Sequence, residues 1–127
     1  MKNFLPLLLI AFLSCENNDI TSTGSLEGKW VDIKTKTDTL IFDSSISADL
    51  FLLRRGKEIQ NGHLLPKPGT GIYEFKLLPE KISIYNTLSS CYCFNEYFFI
   101  HHQEEITVEN FYDPASTGIL QTFTKLK

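Results

Sequence analysis

Period-two alternation recurs along the chain from residue 28 to the end, in short runs rich in β-branched and aromatic side chains. No other feature restricts the fold as much. Tyr73, Phe75 and Leu77 share one face of their run, with Glu74 and Lys76 on the other. Ile82 and Ile84 share a face, and so do Ile106 and Val108, set between Glu105, Thr107 and Glu109. Such alternation marks strands with one buried and one wet face, the habit of antiparallel rather than parallel sheets. The runs predict strands over 28–34, 39–43, 49–54, 72–77, 81–86, 92–101, 105–111 and 119–125. Leu78-Pro79-Glu80, Gln103-Glu104 and Asp113-Pro114-Ala115-Ser116-Thr117-Gly118 supply turn chemistry between them. No window predicts a helix of more than about one turn.

Strands joined in sequence would leave two open edges in a flat sheet, and closing the sheet removes both. The predicted fold is therefore all-β, an eight-stranded antiparallel up-and-down barrel. At that strand number the interior is filled by side chains or holds one small ligand. Residues 56–71 break the rhythm, with several glycines and prolines around Leu64-Leu65. They read as a long loop between the third and fourth strands, either a lid on one end of the barrel or an insertion without fixed structure.

The N-terminus has a different character. After Lys2, residues 4–13 are apolar except for Pro6. The run is shorter than the roughly 20 residues that cross a bilayer, and it has the length of a secretory signal's apolar region. Pro6 and the lack of a polar stripe disfavour a buried helix. On Phe12-Leu13-Ser14-Cys15 the segment resembles a bacterial lipoprotein signal, with Phe12 where leucine is usual. This looser form is similar to signals of Bacteroidetes lipoproteins, and Glu16-Asn17-Asn18-Asp19 resembles their cell-surface export signal. The resemblance implies a signal peptide over 1–14, a lipid on Cys15, and an outer-membrane anchor rather than a span, facing the periplasm or the outside. Residues 15–25 then read as a flexible polar tether. Residues 26–127 remain as one domain, large enough for a single core.

The chain carries 12 basic and 15 acidic side chains, a net charge of −3. No basic cluster exceeds Arg54-Arg55, so nucleic acid is not an expected partner.

Gly28-Lys29-Trp30, at the start of the first strand, resembles the Gly-x-Trp motif that opens lipocalins and small lipocalin-like domains. The resemblance implies that Trp30 closes one end of the barrel and that a basic residue near the last strand packs over it. No arginine follows Arg55, so Lys125 or Lys127 would take that place. The Thr-Asp-Tyr motif and C-terminal helix of larger lipocalins are absent. Independently of any family, Trp30 is the single tryptophan, placed to bury a large ring at the start of the sheet.

Little in the chain points to catalysis. There is no Gly-x-Ser-x-Gly and no phosphate-cradling glycine loop, and no cofactor is implied. Outside the cytoplasm, Cys91 and Cys93 suggest a disulfide. Residues two apart in an extended strand sit about 6.5–7 Å apart, at the limit for such a bond, so it would need a kink. A disulfide, two free thiols, an intermolecular bond and a metal site all remain open. His101 and His102 point to opposite faces and cannot chelate together without a bulge. They read as surface histidines at a strand end, and no C-x-x-C spacing supports zinc. A cysteine nucleophile paired with His101 is the remaining catalytic alternative; the expectation is a protein that is not an enzyme.

The aromatic load says more. Phe94, Glu96, Phe98 and Ile100 share one face of their strand, and Cys93, Asn95, Tyr97 and Phe99 the other. We assign the first set to the interior, which leaves Tyr97 and Phe99 outside, to be covered by the 56–71 loop, by a partner or by the membrane surface. The expected pocket is then Phe42, Tyr73, Phe75, Ile84, Phe94 and Phe98 over a Trp30 floor, suited to a small apolar ligand. The alternative is a protein-binding module, an inhibitor or accessory subunit of a surface assembly, working through 56–71 and the Tyr97/Phe99 face.

Overall fold

The computed structural model describes residues 25–127. Cys15, and the signal peptide and tether expected before residue 25, lie outside the described residues. Ten strands follow one another: β1 (Gly28–Asp32), β2 (Thr39–Phe42), β3 (Leu50–Arg54), β4 (Lys57–Gln60), β5 (His63–Pro66), β6 (Gly71–Leu78), β7 (Lys81–Asn86), β8 (Asn95–His102), β9 (Glu105–Glu109) and β10 (Leu120–Lys125). Eight of them form a closed antiparallel barrel in the order β1-β10-β9-β8-β7-β6-β3-β2, with β1 also paired to β2. Every barrel strand thus has two neighbours, and closure is complete within residues 28–125. The barrel carries its own core and leaves none of its eight strands with a free edge.

Residues 56–71 are not the loop that the sequence suggests. Lys57–Gln60 and His63–Pro66 pair as a separate two-stranded hairpin about Asn61-Gly62. Both turn residues have positive φ, 52° and 82°, the geometry for which Asn-Gly is the strongest short-range signal. The long polar surroundings hid it. The hairpin stands where β3 ends and β6 begins, with Ile59, Leu64 and Leu65 exposed.

β8 is also shorter than expected, starting at Asn95. Before it the chain turns sharply, with the Cys93 amide donating to the Cys91 carbonyl at 2.8 Å. The turn brings the two Cα atoms to 5.3 Å, and the sulfurs are joined. It supplies the kink that an extended strand lacks.

Register places the inward residues opposite one another around the wall. Trp30 faces Leu40 and Lys125, Phe42 faces Phe51, Phe75 faces Ile84, Ile82 faces Tyr97, and His101 faces Ile106. Trp30, Leu53, Ile106 and Phe123 are fully buried in the middle of the core. The ring of Phe51 stacks on Tyr73 at 5.3 Å, and Phe111 meets both edge-on.

Past β9, Phe111 and Tyr112 fold across the end of the barrel from which the β4–β5 hairpin projects. Arg55 fixes that end. Its guanidinium lies 3.4 Å from Asp38 and 3.6 Å from Asp113, donates to the Pro68 carbonyl at 2.7 Å, and sits 4.8 Å from the Tyr112 ring centre. The Tyr112 hydroxyl donates to the same Asp38, at 2.9 Å. Burial, with the Asp38 carboxylate beside it, pushes the Tyr112 phenol far above its ordinary value. Removing one partner of a buried ion pair strands the other, at a cost of about 3–5 kcal/mol. Tyr112 still serves Asp38, so Arg55→Met is expected at the lower end, about 3 kcal/mol. In a domain of this size that is a fall of roughly 10–20 °C in Tm, readable by circular dichroism. Arg55→Lys keeps the charge but loses the fork and the ring contact, and should fall between the two.

Candidate functional site

The opposite end of the barrel is open. Here β1 begins, β2 ends, β3 begins, and β6 and β7 meet in a tight turn. A cavity of about 1130 Å³ opens there to solvent, somewhat above the roughly 300–1,000 Å³ that ligand pockets occupy. Its inner wall is apolar: Phe42, Leu50, Phe75, Leu77, Phe99 and the ring of His101. Glu27, Asp43 and Glu80 stand around it with Ser25, Ser44 and Ser47.

Local sequence explains how the rim is held. The Asp43 carbonyl accepts from the amides of Ile46 and Ser47, and its carboxylate accepts from the Ser45 amide at 3.1 Å, so the β2–β3 connection turns on itself. The Ser44 amide donates to both oxygens of the Glu27 carboxylate, at 3.0 and 3.2 Å, which ties the segment before β1 to that turn. Between β6 and β7 the turn residues are Pro79 and Glu80, with Glu80 at φ 57°. Its carbonyl accepts from the Phe99 amide at 3.2 Å.

Trp30 lies directly behind this wall without lining it. Its ring meets the His101 ring edge-on at 5.3 Å, and its Nε1 donates to the Leu26 carbonyl at 2.8 Å. His101 and Leu26 both border the cavity. Lys125 is the basic residue over Trp30, its Nζ 5.5 Å from the ring centre, whereas Lys127 pairs with Glu104 at 3.2 Å. Gly28 makes room for this arrangement. Its φ is +121°, and a Cβ there would lie 2.9 Å from Cε of Lys125. The glycine two places before the tryptophan is therefore a requirement of the backbone, whose positive φ L side chains rarely adopt, and it also lets Lys125 lie close over the ring.

His101 is buried, with 5 % of its surface exposed, not a surface histidine at a strand end. Its Nε2 lies 2.9 Å from the Gln103 carbonyl. A carbonyl only accepts, so in the neutral ring Nε2 carries the proton. Burial lowers its pKa below the ordinary 6.5; the Gln103 hydrogen bond opposes this, and Lys125 and His102 add to it.

Of the residues expected to form the pocket, Phe42 and Phe75 line the cavity. Tyr73 and Ile84 face inward but lie deeper, within the packed core. The Tyr73 hydroxyl donates to the Gly69 carbonyl at 2.6 Å, and burial pushes its pKa up to about 12. Phe94 and Phe98 are corrected outright, because β8 has the opposite phase. Tyr97, Phe99 and His101 point inward, while Phe98 lies on the outer face opposite Lys81. Phe94 packs outside against Tyr85 and Tyr92, with Nζ of Lys76 4.5 Å from its ring centre. Both faces of this strand are apolar enough to be buried, and aromatic content alone chose the wrong one. Glu96 was the signal: it shares the Phe94/Phe98/Ile100 face, and a charged side chain belongs in water.

The expected lid is also misplaced, since the β4–β5 hairpin stands at the end away from this cavity. Cys91 and Cys93 lie in the β7–β8 connection, also at the closed end, and His101 lies near the open one. They are not brought together. Among the described residues no group of three or more His, Cys, Asp or Glu side chains is placed to hold a metal ion.

The lowered pKa of His101 makes a stability prediction. The unfolded chain takes up this proton more readily than the folded one, so stability is full above about pH 6.5 and falls as pH drops through the lower folded value. His101→Phe keeps a ring against Trp30 and removes the proton site. The Tm of the native protein relative to this variant should hold from pH 7.5 to about 6.5 and then fall toward pH 5, and a constant difference would refute the assignment.

Comparison with family models, with curated proteins and with solved structures gave no match.

Proposed function

We propose that this chain is a lipid-anchored protein of the cell envelope whose barrel binds a small molecule with an apolar body, without chemical conversion. The cavity carries the reading. An eight-stranded barrel can be filled solid by its own side chains, yet here Leu77 is 48 % and Leu78 38 % exposed while both border the open space. Each methylene buried against such a wall gains about 0.8 kcal/mol, so a chain of eight to ten carbons gains roughly 6–8 kcal/mol before the costs of association. The anchor and the envelope location rest on the resemblance of residues 1–19 to a lipoprotein signal.

Native mass spectrometry tests the proposal on the chain from residue 16 onward, which keeps the whole barrel, purified without detergent. The expected result is an added mass of a few hundred daltons, lost in Ala48→Trp, where an indole at the exposed, cavity-lining Ala48 would block the mouth. A bare mass, together with no heat of binding for short alkyl compounds, would overturn it. The protein-binding alternative draws on other surfaces: the hairpin residues Ile59 and Leu64, 68 % and 61 % exposed, and the outer cluster of Tyr85, Tyr92 and Phe94. It gains if an envelope protein co-purifies with the native chain and is lost in Leu64→Ser.

A further inference from the structure

We infer that the molecule held in the cavity is a cationic amphiphile, an alkyl or aryl body bearing an ammonium-type head. The inference rests on the binding role proposed above and names the ligand class. The inner wall offers Phe42, Phe75, Leu77 and Phe99 to an apolar body. Among the described residues every charged side chain that borders the cavity is acidic: Glu27, Asp43 and Glu80, each from a different segment. No lysine at this end borders the cavity: Lys29 is exposed on the outer face of β1, and the others are committed elsewhere. Lys125 lies over Trp30, Lys127 pairs with Glu104, and Lys81, next to Glu80, pairs with Glu96 on the outer wall at 3.4 Å. His101, the remaining titratable group on the wall, is held toward its neutral form by burial. An apolar recess under a rim of one sign complements a ligand that is apolar at one end and oppositely charged at the other.

The carboxylates are partly solvated, so each adds little by itself. A ligand head near the rim should show a preference of roughly 3- to 10-fold over an uncharged one, eroding as salt shortens the screening length from about 10 Å at 0.1 M to about 3 Å at 1 M.

Isothermal titration calorimetry on the chain from residue 16 compares decyltrimethylammonium, 1-decanol and decanoate, all kept below their aggregation limits. The tightest binding is expected for decyltrimethylammonium. In the triple variant Glu27→Gln, Asp43→Asn, Glu80→Gln its affinity should fall to that of 1-decanol, while 1-decanol itself is unchanged. Each amide side chain keeps one acceptor oxygen for the Ser44 or Ser45 amide, so the rim should stay folded, with the 1-decanol affinity as the internal check. Glu58→Gln, on the hairpin at the other end, should leave all three affinities alone. Equal affinities for the three probes, a preference for decanoate, or an equal loss in Glu58→Gln would overturn the charge assignment and leave the cavity's binding role standing. Failure of all three probes to bind would overturn both.

Discussion

The seam between β1 and β10 turns a meander into a barrel, and the rest of the molecule depends on it. Trp30 pairs with Lys125, Val31 with Thr124 and Asp32 with Phe123. Three pairs are a short ladder, and side chains on its inner face reinforce it. Trp30 and Phe123 are fully buried, Lys125 covers the indole, and the buried Asp32 carboxylate accepts from the Lys34 amide at 2.9 Å and from Gln121 at 3.4 Å. Without the seam, β1 and β10 would each present a row of unpaired amides and carbonyls, and the inward faces would have no enclosed space to line. Gly28 belongs to the same arrangement, since a side chain there would displace Lys125.

Much of this was legible in the chain. Alternation gave the eight barrel strands to within a few residues, because side-chain period is fixed by the backbone and one wet face leaves a clear mark on the sequence. Edge avoidance then led to closure. The misses share one physical cause, which is that composition does not report phase or turn geometry when both readings are apolar. On β8 either face could have been buried, and the ladder with β9 decides it, placing Phe99 opposite Val108 and His101 opposite Ile106. A register slip of one residue moves every side chain to the other face. His101 reads as a surface residue for the same reason, although it is the buried polar member of an otherwise apolar wall. The Asn61-Gly62 hairpin is different in kind: its signal was present in two residues and was outweighed by the glycines and prolines around it.

The two ends of the barrel are built from different physics. At one end Arg55 gathers two carboxylates, a carbonyl and an aromatic face into a buried knot, and Phe111 and Tyr112 close the bore. Such a knot adds less net stability than its contacts suggest, since each charge was well solvated before burial. It does set one arrangement of the connections around it, joining the β1–β2, β3–β4 and β9–β10 segments. At the other end the connections are short, hold their own shape through Asp43 and Glu80, and leave the carboxylates in reach of water. Among the described residues the connections at this end turn on themselves and leave the cavity open.

That asymmetry makes the barrel a blind well. A molecule that enters between the rim carboxylates meets a bore already filled by Phe51, Tyr73 and Phe111, and has to leave by the way it came. Arrival and departure therefore share one doorway and one barrier. Any change that narrows the doorway slows both rates together and leaves the equilibrium affinity nearly where it was. Residence time is thus adjustable by the width of the mouth, separately from an affinity set by the depth of the wall and the charge of the rim.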